Sequence, residues 1–354
     1  MCPQAYPLFK IVSIGAGAIG TYIGGSLALH GNQVVFIEQP DVAEELRRHG
    51  LLLKLDDGEH QIPHPQVSSN LEKTLQDQEF DVAIFALKAF DTFSAVKSLL
   101  PYREQLPPIL CLQNGVENEA MLAEFLGEER VIAGTLTSAI GRRGMGDIIL
   151  ERKRGIGVAA SHSLSSQLVE ILNVAGLNAR LYPNAANMKW SKMLTNLLAN
   201  ATSAILDMSP AEIFSDPDLC HLEINQLREA IRVMAAQGID TIDLPGTPVR
   251  ALAFAVRWLP IAWTRPILIK TVGSGRGGKM PSFHVDLRSG RGQTEVDYLN
   301  GAVVRFGDRV DIPIPVNRLL NETLMDLTSG RLPIDAFDHH PERLLERFAS
   351  MLNR

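Results

Sequence analysis

The chain is poor in cysteine. Cys2, Cys111 and Cys220 are its only three, far apart and in no CxxC or Cys/His pattern. Such sparse, unpatterned cysteine excludes a disulfide framework and a structural zinc site, and points to a reducing compartment. The sequence also lacks any basic excess: its formal net charge is -6, spread along the chain. Nucleic acid is thereby excluded as an obligate partner, because neutralising phosphates takes a basic surface. A small anionic substrate stays open, since it needs only a local positive site. No long apolar run is present either. The greasiest segment, "ALAFAVRWLPIAWTRPILIKTVG" (251–273), is interrupted by Arg257, Pro260, Arg265 and Pro266. That falls short of the about 18 unbroken apolar residues of a membrane span, so the segment reads as a buried or subunit-contacting helical hairpin. The first residues, "MCPQAYPLFKIVSIGAGAIG", pass into a glycine-punctuated strand without a charged and then apolar leader. No secretory signal and a cytoplasmic location are the expectations. The nine histidines are scattered, His339–His340 falling in a late loop, and no metal site is expected. There is no internal repeat and no low-complexity tract.

The 354 residues, 45 % apolar and 21 % charged, suit a globular protein of about two domains. Residues 10–14, "KIVSI", read as a buried strand. "GAGAIG" follows (Gly15, Ala16, Gly17, Ala18, Ile19, Gly20), then an apolar-periodic helix to His30 and a second strand, "QVVFIE", ending at Glu38. Strand, glycine turn, helix, strand and an acid about 20 positions on is the order of a dinucleotide fingerprint. Gly15 permits the tight turn, Gly17 the approach of a pyrophosphate, and Gly20 close packing of helix on strand. The helix N-terminus offers unpaired N–H groups to the phosphates. Glu38 can accept the adenosine ribose hydroxyls and repels a 2′-phosphate, and Gln39 and Pro40 add no positive charge. This favours NAD(H) over NADP(H) within an NAD(P)H-binding reading. Further strands over 81–87 and 107–115 end at Lys88 and Asn114, where ligands of open parallel sheets sit. Alternatively, Lys88 caps a helix start and "QNG" is only a turn. Strands near 130–138, 147–151, 155–159 and 178–182, with a helix near 163–175, complete the domain as an antiparallel extension. The fold is therefore expected to be α/β: an N-terminal Rossmann-type, doubly wound parallel sheet over residues 1–185. An all-helical domain over 186–354, bearing substrate binding and catalysis, packs against it to form a cleft.

The helical half carries an odd stretch, "KWSKMLTNLLANATSAI" (189–205), which reads as one helix. Lys192, Asn196 and Asn200 recur every fourth position and span about 80° of one face. Met193 to Leu206 contains no charged residue. Buried amides left unpaired cost roughly 1–3 kcal/mol each, so the stripe requires partners. Either neighbouring helices and solvent supply them, or a polar ligand in the cleft does. Downstream, Ser282 is read as capping one helix. Glu295 begins the next, where it is either a surface carboxylate or part of a site.

"GAGAIG" (15–20), "LKAFDT" (87–92), "LQNGV" (112–116), "WSKMLTNLLANATSAI" (190–205) and "PSFHVDLRSGRGQTEVDYLNG" (281–301) together resemble the 2-dehydropantoate 2-reductase (ketopantoate reductase) family, in order and over most of the chain. The resemblance implies hydride transfer from NAD(P)H to the ketone of a branched 2-oxo acid, within pantothenate biosynthesis. It makes Lys192 the proton donor, and Asn196, Asn200 and Ser282 substrate-binding. Asn114 would touch both substrate and cofactor. Lys88 and Glu295 would lie near the cofactor, with Ile140 contacting it through the backbone. Two departures stand out: Gln39 replaces the family's common arginine, and the 241–280 segment is longer and more apolar. Rival readings are a reductase of another 2-oxo acid, an imine-reducing enzyme, and a non-catalytic dinucleotide sensor. Intact Lys192 speaks against the sensor, which needs no proton donor. The apolar 251–273 segment motivates a homodimer through the helical half; light scattering that reports a monomer would reject it.

Overall fold

The computed structural model describes residues 8–276, 279–290 and 292–353, so Cys2 and Arg291 lie outside it. The chain forms two compact units. The first comprises Met1–Gln113, Glu117–Lys189 and Leu244–Thr247; the second comprises Asn114–Val116, Trp190–Asp243 and Pro248–Arg354.

The first unit contains twelve strands among its described residues. They are β1 (Lys10–Ile14), β2 (Gln33–Ile37), β3 (Leu51–Leu55), β4 (Gly58–Ile62), β5 (Gln66–Ser68), β6 (Val82–Phe85), β7 (Ile109–Cys111), β8 (Val131–Leu136), β9 (Ala139–Gly144), β10 (Asp147–Arg152), β11 (Ile156–Ala159) and β12 (Ala179–Tyr182). Eight form one sheet in the order β12-β11-β8-β7-β6-β1-β2-β5. From β5 to β8 every pairing is parallel; β11 runs antiparallel to β8 and parallel to β12. The strand order reverses at β1, the point where an open α/β sheet leaves a crevice for a ligand. Strand β1 explains the layering. Ile11 enters one core with Leu110 and Ile132, while Val12 and Ile14 enter another with Phe85 and Val96. Successive side chains leave opposite faces of a strand, so an unbroken apolar run means both faces are covered.

Between β1 and β2 runs α1 (Ala18–Leu29), which also touches β3, β9 and β10. Those strands belong to a separate four-stranded sheet, β4-β3-β10-β9. Tyr22, Ile23 and Leu27 of α1 share a core with Phe36 of β2 and with Leu53 of β3. Helix α1 is thus covered on two sides, and for that reason it has no polar stripe. The antiparallel extension expected from the sequence is only partly realised. β11 joins the main sheet, but β9 and β10 leave it to pair with the β3–β4 hairpin, whose outer strand "GEHQI" is too polar to read as a strand.

Helices α2 (Pro40–His49), α3 (Leu71–Asp77), α4 (Thr92–Leu99), α5 (Asn118–Leu126) and α6 (Ser165–Val174) complete the first unit. The chain passes to the second within α7 (Ala185–Leu197). There follow α8 (Asn200–Leu206), α9 (Pro210–Ser215), α10 (Pro217–Ala236), α11 (Val249–Trp258), α12 (Ile261–Arg276), α13 (Ser282–Arg288), α14 (Val296–Arg309), α15 (Pro315–Thr328) and α16 (Pro341–Leu352). The described residues of this unit form no strand. The 251–273 segment is a helical hairpin, α11 and α12, turning at Leu259 and Pro260. It leaves Phe254, Trp258 and Trp263 exposed, at 59 %, 64 % and 67 %. Among the described residues no helix is long and apolar enough to cross a membrane.

The single helix expected over 189–205 is broken. Ala199 adopts φ 50° and ψ 17°, in the left-handed region, and separates α7 from α8. Buried side chains of α10 receive the backbone groups that the break leaves without helical partners. Glu223 accepts the Ala199 N–H at 2.7 Å, and Gln226 donates to the Leu197 carbonyl at 3.1 Å. No glycine or proline marks the break, so tertiary hydrogen bonds made it.

Two outcomes test this packing. A Cβ on Gly20 would stand 2.1 Å from the Gly15 carbonyl oxygen. Gly20→Ala is therefore expected to lower unfolding stability by about 1–3 kcal/mol in denaturant titrations, and an unchanged midpoint would contradict the contact. Glu229, 2 % exposed, accepts the Val316 and Asn317 N–H groups at the start of α15, at 2.8 and 2.9 Å. Burial pushes its carboxyl above the ordinary value of 4.5, against those hydrogen bonds. The folded state then binds the proton more tightly than the unfolded chain, so stability falls as pH rises from 4.5 through the raised value. Melting curves over a pH series should show this decline in the wild type and a flatter profile in Glu229→Gln. Parallel profiles would remove Glu229 as its source.

Candidate functional site

In the first unit the glycine turn leaves β1 at the point where the strand order reverses. Gly15 has φ +96°, a conformation L side chains rarely adopt. Gly17 is the N-cap of α1, and no heavy atom lies within 4 Å of where its Cβ would stand. Space of that kind beside a helix N-terminus fits a dinucleotide pyrophosphate. Ala16 presents its N–H on this turn, and Ala18, Ile19 and Gly20 begin α1. The Glu38 carboxylate, beyond the end of β2, accepts the Ala16 N–H through Oε1 and the Gln39 N–H at 3.4 Å through Oε2. The acid expected to meet a ribose therefore also holds the glycine turn.

Lys88 lies beyond β6 as the N-cap of a single 3₁₀ turn, Ala89–Asp91, and its side chain makes no capping bond. Its carbonyl accepts Gln113 Nε2 at 3.1 Å, as does that of Leu87, so "QNG" is more than a turn. Ile140 sits on β9, paired with Leu150 of β10, its side chain against the core under α1. The sequence reading passed over Lys189. The residue is 5 % exposed, and its ammonium donates to the Gln113 carbonyl at 2.7 Å and pairs with Glu119 at 2.6 Å. The signal available was a second lysine in a helix otherwise poor in charge. Lys189 fixes the carbonyl of the residue preceding Asn114.

The remaining six expected residues, Asn114, Lys192, Asn196, Asn200, Ser282 and Glu295, all fall in the second unit. Five of them form two hydrogen-bonded groups. Asn196 Nδ2 donates to Asn114 Oδ1 at 3.0 Å, and Asn114 Nδ2 donates to Glu295 Oε2 at 3.4 Å. An amide donor facing a carboxylate sets the Asn114 flip, which leaves its oxygen for Asn196. Glu295 is 2 % exposed and is the N-cap of α14, not a surface carboxylate. Half-buried Lys192 stands one turn before Asn196 on α7. In the second group, Asn200 Nδ2 donates to Ser282 Oγ at 3.3 Å, while Asn200 Oδ1 accepts the Phe283 N–H at 3.0 Å. Ser282 was expected to cap α13. It is instead the first residue of that helix, after a Pro281 N-cap, and its hydroxyl goes to Asn200.

A further hydrogen bond clasps the same two helices. His284 of α13 meets Asp207, which ends α8, at 2.6 Å. Burial alone would raise the Asp207 carboxyl, but the His284 hydrogen bond and Arg288 hold it below the ordinary range. A cavity of about 540 Å3 elsewhere in this unit is lined by Arg228, Arg232, Arg257 and Trp258 and by none of the six residues above.

Sheet order and glycine turn define a dinucleotide-binding α/β protein joined to a helical unit with a lysine, amide and carboxylate cluster. Residues 11–161 match the family model described as Ketopantoate reductase PanE/ApbA, and residues 184–328 match its C-terminal counterpart. The chain belongs to the ketopantoate reductase family and is a 2-dehydropantoate 2-reductase-like, NAD(P)-dependent oxidoreductase. The 2-dehydropantoate 2-reductase of Streptococcus pyogenes serotype M6 is 25 % identical over 322 residues, spanning 87 % of this chain and 94 % of that protein. The crystal structure of a PanE/ApbA family ketopantoate reductase from Ralstonia eutropha superposes with a TM-score of 0.76 at 27 % identity, covering 91 % of this chain and 99 % of that one. D-Mandelate dehydrogenase, solved with NADH and anilino(oxo)acetate, shares the fold, with a TM-score of 0.74 at 22 % identity over 91 % of this chain and 99 % of that one.

Proposed function

We propose that this chain reduces the ketone of a branched, hydroxyl-bearing 2-oxo acid such as ketopantoate to the 2-hydroxy acid, with Lys192 as proton donor. The observation that carries the reading is the pair of polar groups beside Lys192: Asn196–Asn114–Glu295 and Asn200–Ser282. A nicotinamide bound through the glycine turn supplies the hydride. As hydride reaches the carbonyl carbon, the carbonyl oxygen gains charge; the Lys192 ammonium stabilises that oxygen and gives it a proton. General acid catalysis of this kind contributes about 10²–10⁴-fold. The amides hold substrate oxygens without adding a charge that would disturb the lysine. Glu295 keeps the Asn114 amide in one orientation, so that neither amide must reorganise when substrate arrives. NADH is the favoured donor, because a carboxylate at Glu38 repels a 2′-phosphate and Gln39 offers it no cation.

The test is consumption of NADH and NADPH with ketopantoate and a panel of other 2-oxo acids. Turnover with ketopantoate, faster with NADH, is expected. Lys192→Ala should lower kcat by about 10²–10⁴-fold while cofactor affinity holds. Preference for an acid without a hydroxyl would move the substrate, and preference for NADPH would overturn the role given to Glu38. No consumption with any acid, despite tight cofactor binding, would favour a dinucleotide sensor.

A further inference from the structure

The break between α7 and α8 has a builder outside the site. Glu223 lies on α10 and is 0 % exposed. Its two carboxylate oxygens divide the work. Oε2 accepts the Ala199 N–H at 2.7 Å and Gln226 Nε2 at 2.9 Å, while Oε1 accepts the Thr202 hydroxyl. The second hydrogen of Gln226 Nε2 goes to the Leu197 carbonyl at 3.1 Å, and Asn300 donates to Gln226 Oε1 at 2.8 Å. One buried carboxylate and one buried amide thus take up the last carbonyl of α7 and a first N–H of α8.

The consequence is geometric. In a continuous helix Asn196 and Asn200 would lie about 40° apart and one turn along, facing the same neighbours. With Ala199 left-handed at φ 50°, Asn196 turns to Asn114 and Asn200 to Ser282 and the Phe283 N–H. A left-handed alanine is strained, so the conformation persists only where surrounding contacts impose it. A carboxylate is the side chain suited to this task, since it accepts several bonds without needing a donor on the other side.

We infer that Glu223 is a positioning residue for substrate binding: it holds Ala199 left-handed and thereby sets Asn200 against α13 while Asn196 and Lys192 stay on α7. The inference rests on the reductase reading above. Glu223→Gln keeps the size of the side chain but removes its charge and one acceptor oxygen, so its amide N–H groups either oppose the Ala199 and Gln226 N–H groups or reverse the bond from the Thr202 hydroxyl. The expected result is a KM for ketopantoate raised at least about tenfold, kcat changed far less, and cofactor affinity unaltered. Glu223→Asp, which keeps both acceptors, should recover part of the loss.

Coupling separates positioning from general loosening. If Glu223 acts through Asn200, adding Glu223→Gln to Asn200→Ala should raise KM little further, because contacting networks are non-additive. Full multiplication of the two effects would overturn the inference. A crystal structure of Glu223→Gln decides it even if no 2-oxo acid is reduced. Ala199 leaving the left-handed region, or Asn200 losing the Phe283 N–H, supports Glu223 as the builder. An unchanged break and an unchanged Asn200 refute it, whatever happens to the substrate assignment.

Discussion

Buried carboxamides must be hydrogen-bonded, and in the helical unit that one constraint organises everything near Lys192. Buried Asn200 and part-buried Asn196, on either side of the break and among leucines and methionines, need such partners. Their partners come from segments far away in sequence: Asn114, after β7, for Asn196, and Ser282 and Phe283 of α13 for Asn200, while Asn114 in turn donates to Glu295 before α14. Asn114 is held in its turn by Glu295, and Asn200 is bonded to the Phe283 backbone as well as to Ser282. The arrangement is costly to disturb, because a half-satisfied buried network is worse than an apolar one.

The first unit works by a different economy. There a glycine turn presents backbone N–H groups where the order of strands reverses. Glu38 adds a carboxylate that already accepts from Ala16. Lys189 performs a comparable service beyond β7, where its buried ammonium gathers the carbonyls of Gln113 and Gly134 and the carboxylate of Glu119.

Much of this was legible along the chain. The glycine spacing and the acid after the second strand announced the nucleotide fold because both obey local rules: a strand, a turn needing φ > 0, a helix N-terminus. The polar stripe of α7 was legible because amides are poor helix formers and stand out against leucine. The four-stranded sheet was not legible, since "GEHQI" carries no apolar alternation and pairs for reasons that lie in β3. Nor was the burial of Glu295, because a helix N-cap looks alike in sequence whether it faces water or a core.

By itself, then, the sequence determined the order of elements, the glycine turn at the crevice and which polar residues sit on a greasy helix. Local backbone preferences and side-chain periodicity act within a few residues and leave their mark there. Tertiary structure alone decided the rupture of that helix at Ala199, the capture of its ends by Glu223 and Gln226, and the pairing of each asparagine with a different partner. Those outcomes depend on groups 24 to 82 residues away in the chain, and a carboxylate at such a distance leaves no trace in the local pattern it overrides.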